Sequence, residues 1–283
     1  MSTRQDIDQF RIAEQPNYVP QDDEEVVFRV AFRSKIPLIL KGPTGCGKTR
    51  FIEHMAHELK LPLVTVSCHE DLTAADLVGR FLLKSDQTVW QDGPLTLAVR
   101  HGGICYLDEI VEARKDTTVI IHSLTDDRRI LYIDKTGEVV PAHENFMMVL
   151  SYNPGYQSIV KDLKQSTKQR FASIDFTHPP EEIETRIIAS ESGLAEPDAR
   201  KLAQMGTKIR RLKGYGLDEG ISSRLLVYVG RLVQGGLTPV QATRHAISQT
   251  LTDEPDVLES IQSIAQLYFG DVMEQTGDPR TSR

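Results

Sequence analysis

Cysteine is scarce. The 283 residues hold only Cys46, Cys68 and Cys105, an odd number with no C-x-x-C spacing, which argues against a disulfide framework and fits a reducing compartment. Long apolar runs are missing too: the longest stretches, such as residues 36–40 and 146–150, are about five residues against the ~20 that a spanning helix needs, so no membrane span is expected. The first eight residues carry acids and no apolar core, so no secretory signal is expected and a cytoplasmic location is the default. Positive charge is in deficit. Against 40 Asp and Glu there are 33 Lys and Arg, giving a net charge of −7 and a pI near 5.7, which disfavours nucleic acid as the main partner. Compositional bias is absent as well: 40% hydrophobic and 26% charged residues are ordinary for a folded chain and exclude disorder as a class.

What is present begins with alternating strand and helix signals. Apolar, β-rich runs at residues 37–41, 62–67, 104–108, 146–152 and 171–175 are spaced by helical stretches, one of them over 50–59. This pattern predicts an α/β fold around a five-stranded parallel sheet covered on both faces. Thr73-Ala74-Ala75-Asp76 is a capping-box pattern that should start a short helix. Residues 80–91 and 129–140 read as two β-hairpins. After Thr177-His178-Pro179-Pro180 the period turns helical, over 182–190, 198–210, 222–234, 238–250 and 257–269, with glycines (Gly193, Gly214, Gly216, Gly235, Gly236) and Pro255 at the breaks. The expected division is an N-terminal extension (1–20), an α/β domain (21–180), a helical domain (181–270) and a tail (271–283).

The strongest chemical signal is Gly42-Pro43-Thr44-Gly45-Cys46-Gly47-Lys48-Thr49, between a predicted strand and a predicted helix, the context a P-loop requires. The glycines let backbone N–H groups converge on phosphate oxygens, Lys48 reaches the β- and γ-phosphates, and Thr49 can ligate Mg²⁺. ATP and Mg²⁺ are therefore the expected cofactors, and the α/β domain the nucleotide-binding one. About sixty residues on, Ile104-Cys105-Tyr106-Leu107-Asp108-Glu109 is an apolar strand ending in two acids. Asp108 would hold the metal and Glu109 would polarise water, a pairing that favours hydrolysis over phosphate transfer to a metabolite. His54 with His57, and Cys68 with His69, are tempting pairs, but neither completes a four-ligand set.

At this point the sequence resembles the AAA+ ATPases and, among them, the MoxR family. Ser151-Tyr152-Asn153-Pro154 matches the sensor-1 position, with Asn153 as the polar sensor; Asn-Pro is equally a turn signal. Lys168-Gln169-Arg170-Phe171 looks like the arginine finger that reaches a neighbouring subunit, for which Arg128 and Arg129 compete, and Ile221-Ser222-Ser223-Arg224 looks like sensor 2 at the start of a lid helix. The two hairpins correspond to the MoxR insertions. Trp90 would either plug the base of the first hairpin or line a pore with Phe81. The runs 40–50, 108–114, 124–130 and 151–157 are similar to the CbbQ/NorQ/NirQ subfamily. The resemblance implies a homo-hexamer working with a von Willebrand factor A-domain partner, and Rubisco activation as its role. Maturation of nitric-oxide reductase is the alternative. A DNA-directed motor, a P-loop kinase and a non-catalytic nucleotide-binding adaptor are the readings from other classes.

Overall fold

The computed structural model describes residues 7–84, 87–154, 163–214, 217 and 220–270. The chain divides into two units, one running to Phe176 without the loop tip Pro43–Cys46, the other made of that tip and the chain from Thr177. Residues 155–157 of the sensor-1 run, Gly216, the turn 85–86 of the first hairpin and the tail 271–283 lie outside the described residues.

In the first unit the strands are β1 (Leu38–Lys41), β2 (Leu63–Ser67), β3 (Gly79–Lys84), β4 (Gln87–Asp92), β5 (Gly103–Asp108), β6 (Ile130–Ile133), β7 (Glu138–Pro141), β8 (Phe146–Tyr152) and β9 (Ala172–Asp175). Five of them form one sheet in the order β2-β5-β8-β1-β9, with every pairing parallel. Each lies within one residue of its sequence expectation. The reason is burial on both faces: all of β8 and the first five residues of β5 are inside, so these strands read as unbroken apolar runs.

The helices of this unit are α1 (Glu24–Arg33), α2 (Lys48–Leu59), α3 (Ala74–Val78), α4 (Pro94–His101), α5 (Lys115–Ile120) and α6 (Gln165–Lys168). α3 carries the expected capping box, Thr73 and Asp76 bonding reciprocally. α1, α4 and α5 were not legible beforehand. Three valines in α1 and the Pro-Leu-Thr-Leu opening of α4 give weak local helix preference, and burial of Phe28 and of the run from Leu95 to Val99 overrides it.

The hairpins are β3–β4 and β6–β7, each an antiparallel pair outside the main sheet. In the first, Phe81 sits opposite Trp90 in an edge-to-face contact with ring centroids 5.1 Å apart. Trp90 is half-buried against the core and donates its indole N–H to Asp92 at 2.7 Å, whereas Phe81 is 48% exposed. Arg100 on α4 grips both hairpins, bonding Asp92 at the end of β4 and, with two nitrogens, Glu138 at the start of β7.

The second unit is helical: α7 (Glu181–Ser192), α8 (Glu196–Arg210), α9 (Ser223–Gln234), α10 (Pro239–Thr243), α11 (Gln249–Leu251) and α12 (Pro255–Phe269). The single helix expected over 238–250 is interrupted by a π-helical turn, Arg244–Ser248. Leu202, Met205, Ile209, Leu226, Val229, Ile247 and Ile261 form the core of this unit. Beside it lies a fully buried carboxylate, Glu184. Arg210 grips it with two nitrogens, at 2.7 and 2.5 Å, and the Ser223 hydroxyl donates to it at 2.5 Å. Nearby, burial foremost and then the charges of Arg210 and Lys213 push His178 down to about 4, so its imidazole is uncharged near neutral pH. Removing the carboxylate strands a largely buried guanidinium, so Glu184→Ala should cost about 3–5 kcal/mol of stability. Urea unfolding of the variant checks this, and a loss below ~1 kcal/mol would count against the pair. No helix of the described residues is long and apolar enough to cross a membrane.

Candidate functional site

β1 delivers the chain into the loop 42–49. Gly42 is anchored by its N–H to the Tyr152 carbonyl at the end of β8 (3.3 Å). Gly47, at φ +105° and ψ 5°, is the N-cap of α2, a conformation open to glycine and strained for other residues. Gly47 supplies no side-chain cap there, so the start of α2 has the form of an anion-binding helix N-terminus. Lys48 is 6% exposed and its ammonium donates to the Gly42 carbonyl at 2.8 Å, across the base of the loop. Of the remaining loop residues, Cys46 is buried, Thr44 exposed, and Pro43, Gly45 and Thr49 half-buried.

β5 ends at Asp108, and the chain then turns sharply through Glu109, which stands in the left-handed region at φ 52°, ψ 48°. Asp108 lies one step past the pairing of Leu107 with Leu150, which brings its carboxylate to Ser151 on β8. Its Oδ1 accepts from the Ser151 hydroxyl and from Tyr106 at 2.8 Å. On the other side Ser67 of β2 is its register partner, and the Cys68 N–H donates to the Asp108 carbonyl at 2.9 Å. Burial first, then the Asp108 and Glu109 charges, push the Cys68 thiol up to about 12, so it adds no charge to the cluster. The Glu109 carboxyl is raised above the usual range. Burial is the main cause and Asp108 adds to it; the Lys48 ammonium and a hydrogen bond from the Asn153 backbone N–H pull the other way.

Lys48, Asp108, Glu109 and Asn153 are thus brought together in the first unit. Asn153 is buried and meets Glu109 through its main chain. Arg170 precedes β9 and is bonded to Asp126 at 3.2 Å and to the His122 carbonyl at 3.4 Å. Of its competitors, Arg129 gives both terminal nitrogens to the carbonyls of Lys35 and Phe146, so its guanidinium is a structural clamp. Arg128 is exposed and shares Asp126. Arg224 belongs to the second unit, exposed on the first turn of α9, whose N-cap is Ser222.

Sequence reasoning missed Tyr106, Ser151 and Asp126. For the first two a signal existed: a hydroxyl two residues before a candidate acid or sensor on a strand shares its face. The tempting His54 is bonded to Glu25 at 2.8 Å. Among the described residues no group of three or more His, Cys, Asp or Glu is placed to hold a metal. Asp108 and the Thr49 hydroxyl both meet the Tyr106 hydroxyl, and one carboxylate with one hydroxyl is a donor set that could hold Mg²⁺, a cation that keeps water and phosphate oxygens as its other ligands.

Residues 37–171 match the model of the AAA domain (dynein-related subfamily), and residues 184–268 that of the CbbQ/NirQ/NorQ C-terminal region. The chain is 56% identical to Protein CbbQ of Hydrogenophilus thermoluteolus, over 92% of this chain and 98% of the relative. It is 54% identical to Protein NorQ of Paracoccus denitrificans, over 90% and 94%. Among solved structures, a RuvB of Thermotoga maritima shares the fold with a TM-score of 0.53 at 14% identity, over 90% of this chain and 73% of that one.

Proposed function

As the chain belongs to the CbbQ/NirQ/NorQ family of AAA+ ATPases, we propose that it couples ATP hydrolysis to the remodelling of a protein target. The observation that supports this is the Glu109 carboxylate: half-buried, next to Asp108, in the field of Lys48 and raised in pKa, which is what a base for water beside a phosphate-binding loop requires. The backbone of Gly42, Pro43, Thr44, Gly45, Cys46 and Gly47 cradles the phosphates, and Lys48 pairs with the β- and γ-oxygens. Thr49 and Asp108 would hold Mg²⁺, which would supply positive charge to offset that on those oxygens. Glu109 takes a proton from the attacking water. By their motifs Asn153 and Arg224 sense the γ-phosphate, and Arg170 acts on a neighbouring subunit's nucleotide within a hexamer.

The target we assign is Rubisco locked by a tight-binding sugar phosphate, reached through a von Willebrand factor A-domain partner, with ATP-driven motion favouring the open carboxylase site. Immature nitric-oxide reductase is the second reading, because the NorQ relative is nearly as similar as CbbQ, at 54% against 56% identity. The β3–β4 hairpin presents Phe81 and Leu83 to solvent and is the part we assign to target coupling. Carboxylation by inhibitor-locked Rubisco with this protein, its partner and ATP should recover. Phe81→Ala should abolish that recovery while ATP turnover stays within ~3-fold of wild type. If cognate Rubisco stays locked while the same ATPase restores metal loading in the reductase, the second reading holds.

A further inference from the structure

Beyond the motif residues, one buried hydroxyl touches both acids at the end of β5. Ser151 is 0% exposed on β8, 42 and 43 residues from Glu109 and Asp108 in the chain, and the parallel register of β5 with β8 brings it to them. Its Oγ does two things at once: it donates to Oδ1 of Asp108 and accepts the backbone N–H of Glu109 at 3.2 Å. The second bond falls on a strained residue, since Glu109 holds φ 52°, a region that a side-chain-bearing residue keeps only when its surroundings fix it. The first bond has a companion. Tyr106, also 0% exposed, donates to the same oxygen at 2.8 Å, with the Thr49 and Ser151 hydroxyls in hydrogen-bonding contact with its own. Two donors on Oδ1 lock the plane of the Asp108 carboxylate and leave Oδ2 as the oxygen turned to other work.

We propose that Ser151 is a positioning residue for ATP hydrolysis, holding Asp108 in one orientation and Glu109 in its left-handed turn, with Tyr106 sharing the first task alone. This rests on the ATPase roles given above to Asp108 and Glu109. Among the described residues Ser151 is the hydroxyl that takes both bonds, so removing it disturbs cation affinity and water activation together. Removing the Tyr106 hydroxyl disturbs mainly the first.

The test uses the full-length chain with four variants: Ser151→Ala, Ser151→Thr, Tyr106→Phe and Glu109→Gln. Binding of a fluorescent ADP analogue is titrated in EDTA and in Mg²⁺, beside steady-state turnover and thermal melting. For Ser151→Ala the affinity in EDTA should stay within ~2-fold, the tightening brought by Mg²⁺ should shrink ~10-fold, and kcat should fall ~10–100-fold, the range for residues that orient metal ligands. Ser151→Thr keeps the hydroxyl and should recover most of both effects. Tyr106→Phe should lose part of the Mg²⁺ response with kcat at saturating Mg²⁺ within ~5-fold of wild type. The proposal is overturned if folded Ser151→Ala keeps wild-type kcat and Mg²⁺ response, or if losses in Ala and Thr alike simply follow their melting temperatures. Should Ser151→Ala fail to fold, the Thr and Phe variants decide by the same criteria. Glu109→Gln separates the two levels: full turnover there would mean that the underlying catalytic reading is wrong, whereas an inactive Glu109→Gln beside an unaffected Ser151→Ala would remove only this proposal.

Discussion

Glu109→Gln should bind ATP as tightly as the native chain and hydrolyse it at least ~100-fold more slowly. The substitution keeps the shape of the side chain and imposes no new backbone demand, because Gln meets the same strain at φ 52° that Glu already bears. What it removes is the charge that accepts a proton from water. Burial is the main reason that carboxyl sits above its usual pKa range, meaning the native charge is held there at the expense of stability. The variant should accordingly melt no lower than wild type, and this separates lost chemistry from lost fold. Nucleotide titration, phosphate release and a melting curve on the same preparation give all three quantities. Turnover within ~3-fold of wild type would remove Glu109 from the mechanism. Lys48→Ala is the contrasting control: it deletes a contact made in the ground state, so its first effect should be on binding.

Arg170→Ala should lower turnover by ~1000-fold, and mixing it with Lys48→Ala should restore part of the activity. Recovery is expected because a mixed ring contains interfaces that pair one intact P-loop with one intact finger. In the single chain the Arg170 guanidinium is one-third exposed, bonded to Asp126 and to the His122 carbonyl. Its positive charge is felt locally, since burial first and Arg170 second hold His122 below its usual pKa. Arg128→Ala serves as the neighbour control and should leave turnover within ~3-fold, its side chain being exposed and its partner Asp126 retained by Arg170. Mass spectrometry must establish that mixed assemblies form. If they form and no activity returns, Arg170 acts within its own chain.

Reading the sequence worked wherever the information was local. A strand buried on both faces must be apolar throughout, so the stretches that became β1, β2, β5, β8 and β9 announced themselves, as did the loop 42–49, whose glycines and Lys48 are defined by their spacing. The acids Asp108 and Glu109 were legible only beside the loop 42–49: a strand ending in two acids is common in itself, and the P-loop about sixty residues earlier is what gives this one a role. α1 and α4 were not, since their β-branched residues obscure the helical period and only packing decides for helix.

The assembly around those acids was beyond the sequence for a different reason. Ser151 meets Asp108 and Glu109, and Asp126 meets Arg170, across separations of 42 to 44 residues, and such meetings depend on which strands pair and in what register. A shift of one residue between β5 and β8 would turn Ser151 to the opposite face of the sheet. The same holds for Arg128, Arg129 and Arg170, which are equal as letters; tertiary packing commits Arg129 to the carbonyls of Lys35 and Phe146 and leaves Arg170 partly exposed. The residue types needed for phosphate chemistry and their local spacing were therefore determined by the sequence alone. Their orientation was decided by the parallel register of the sheet, because hydrogen bonds and burial act between neighbours in space, and only folding makes distant residues neighbours.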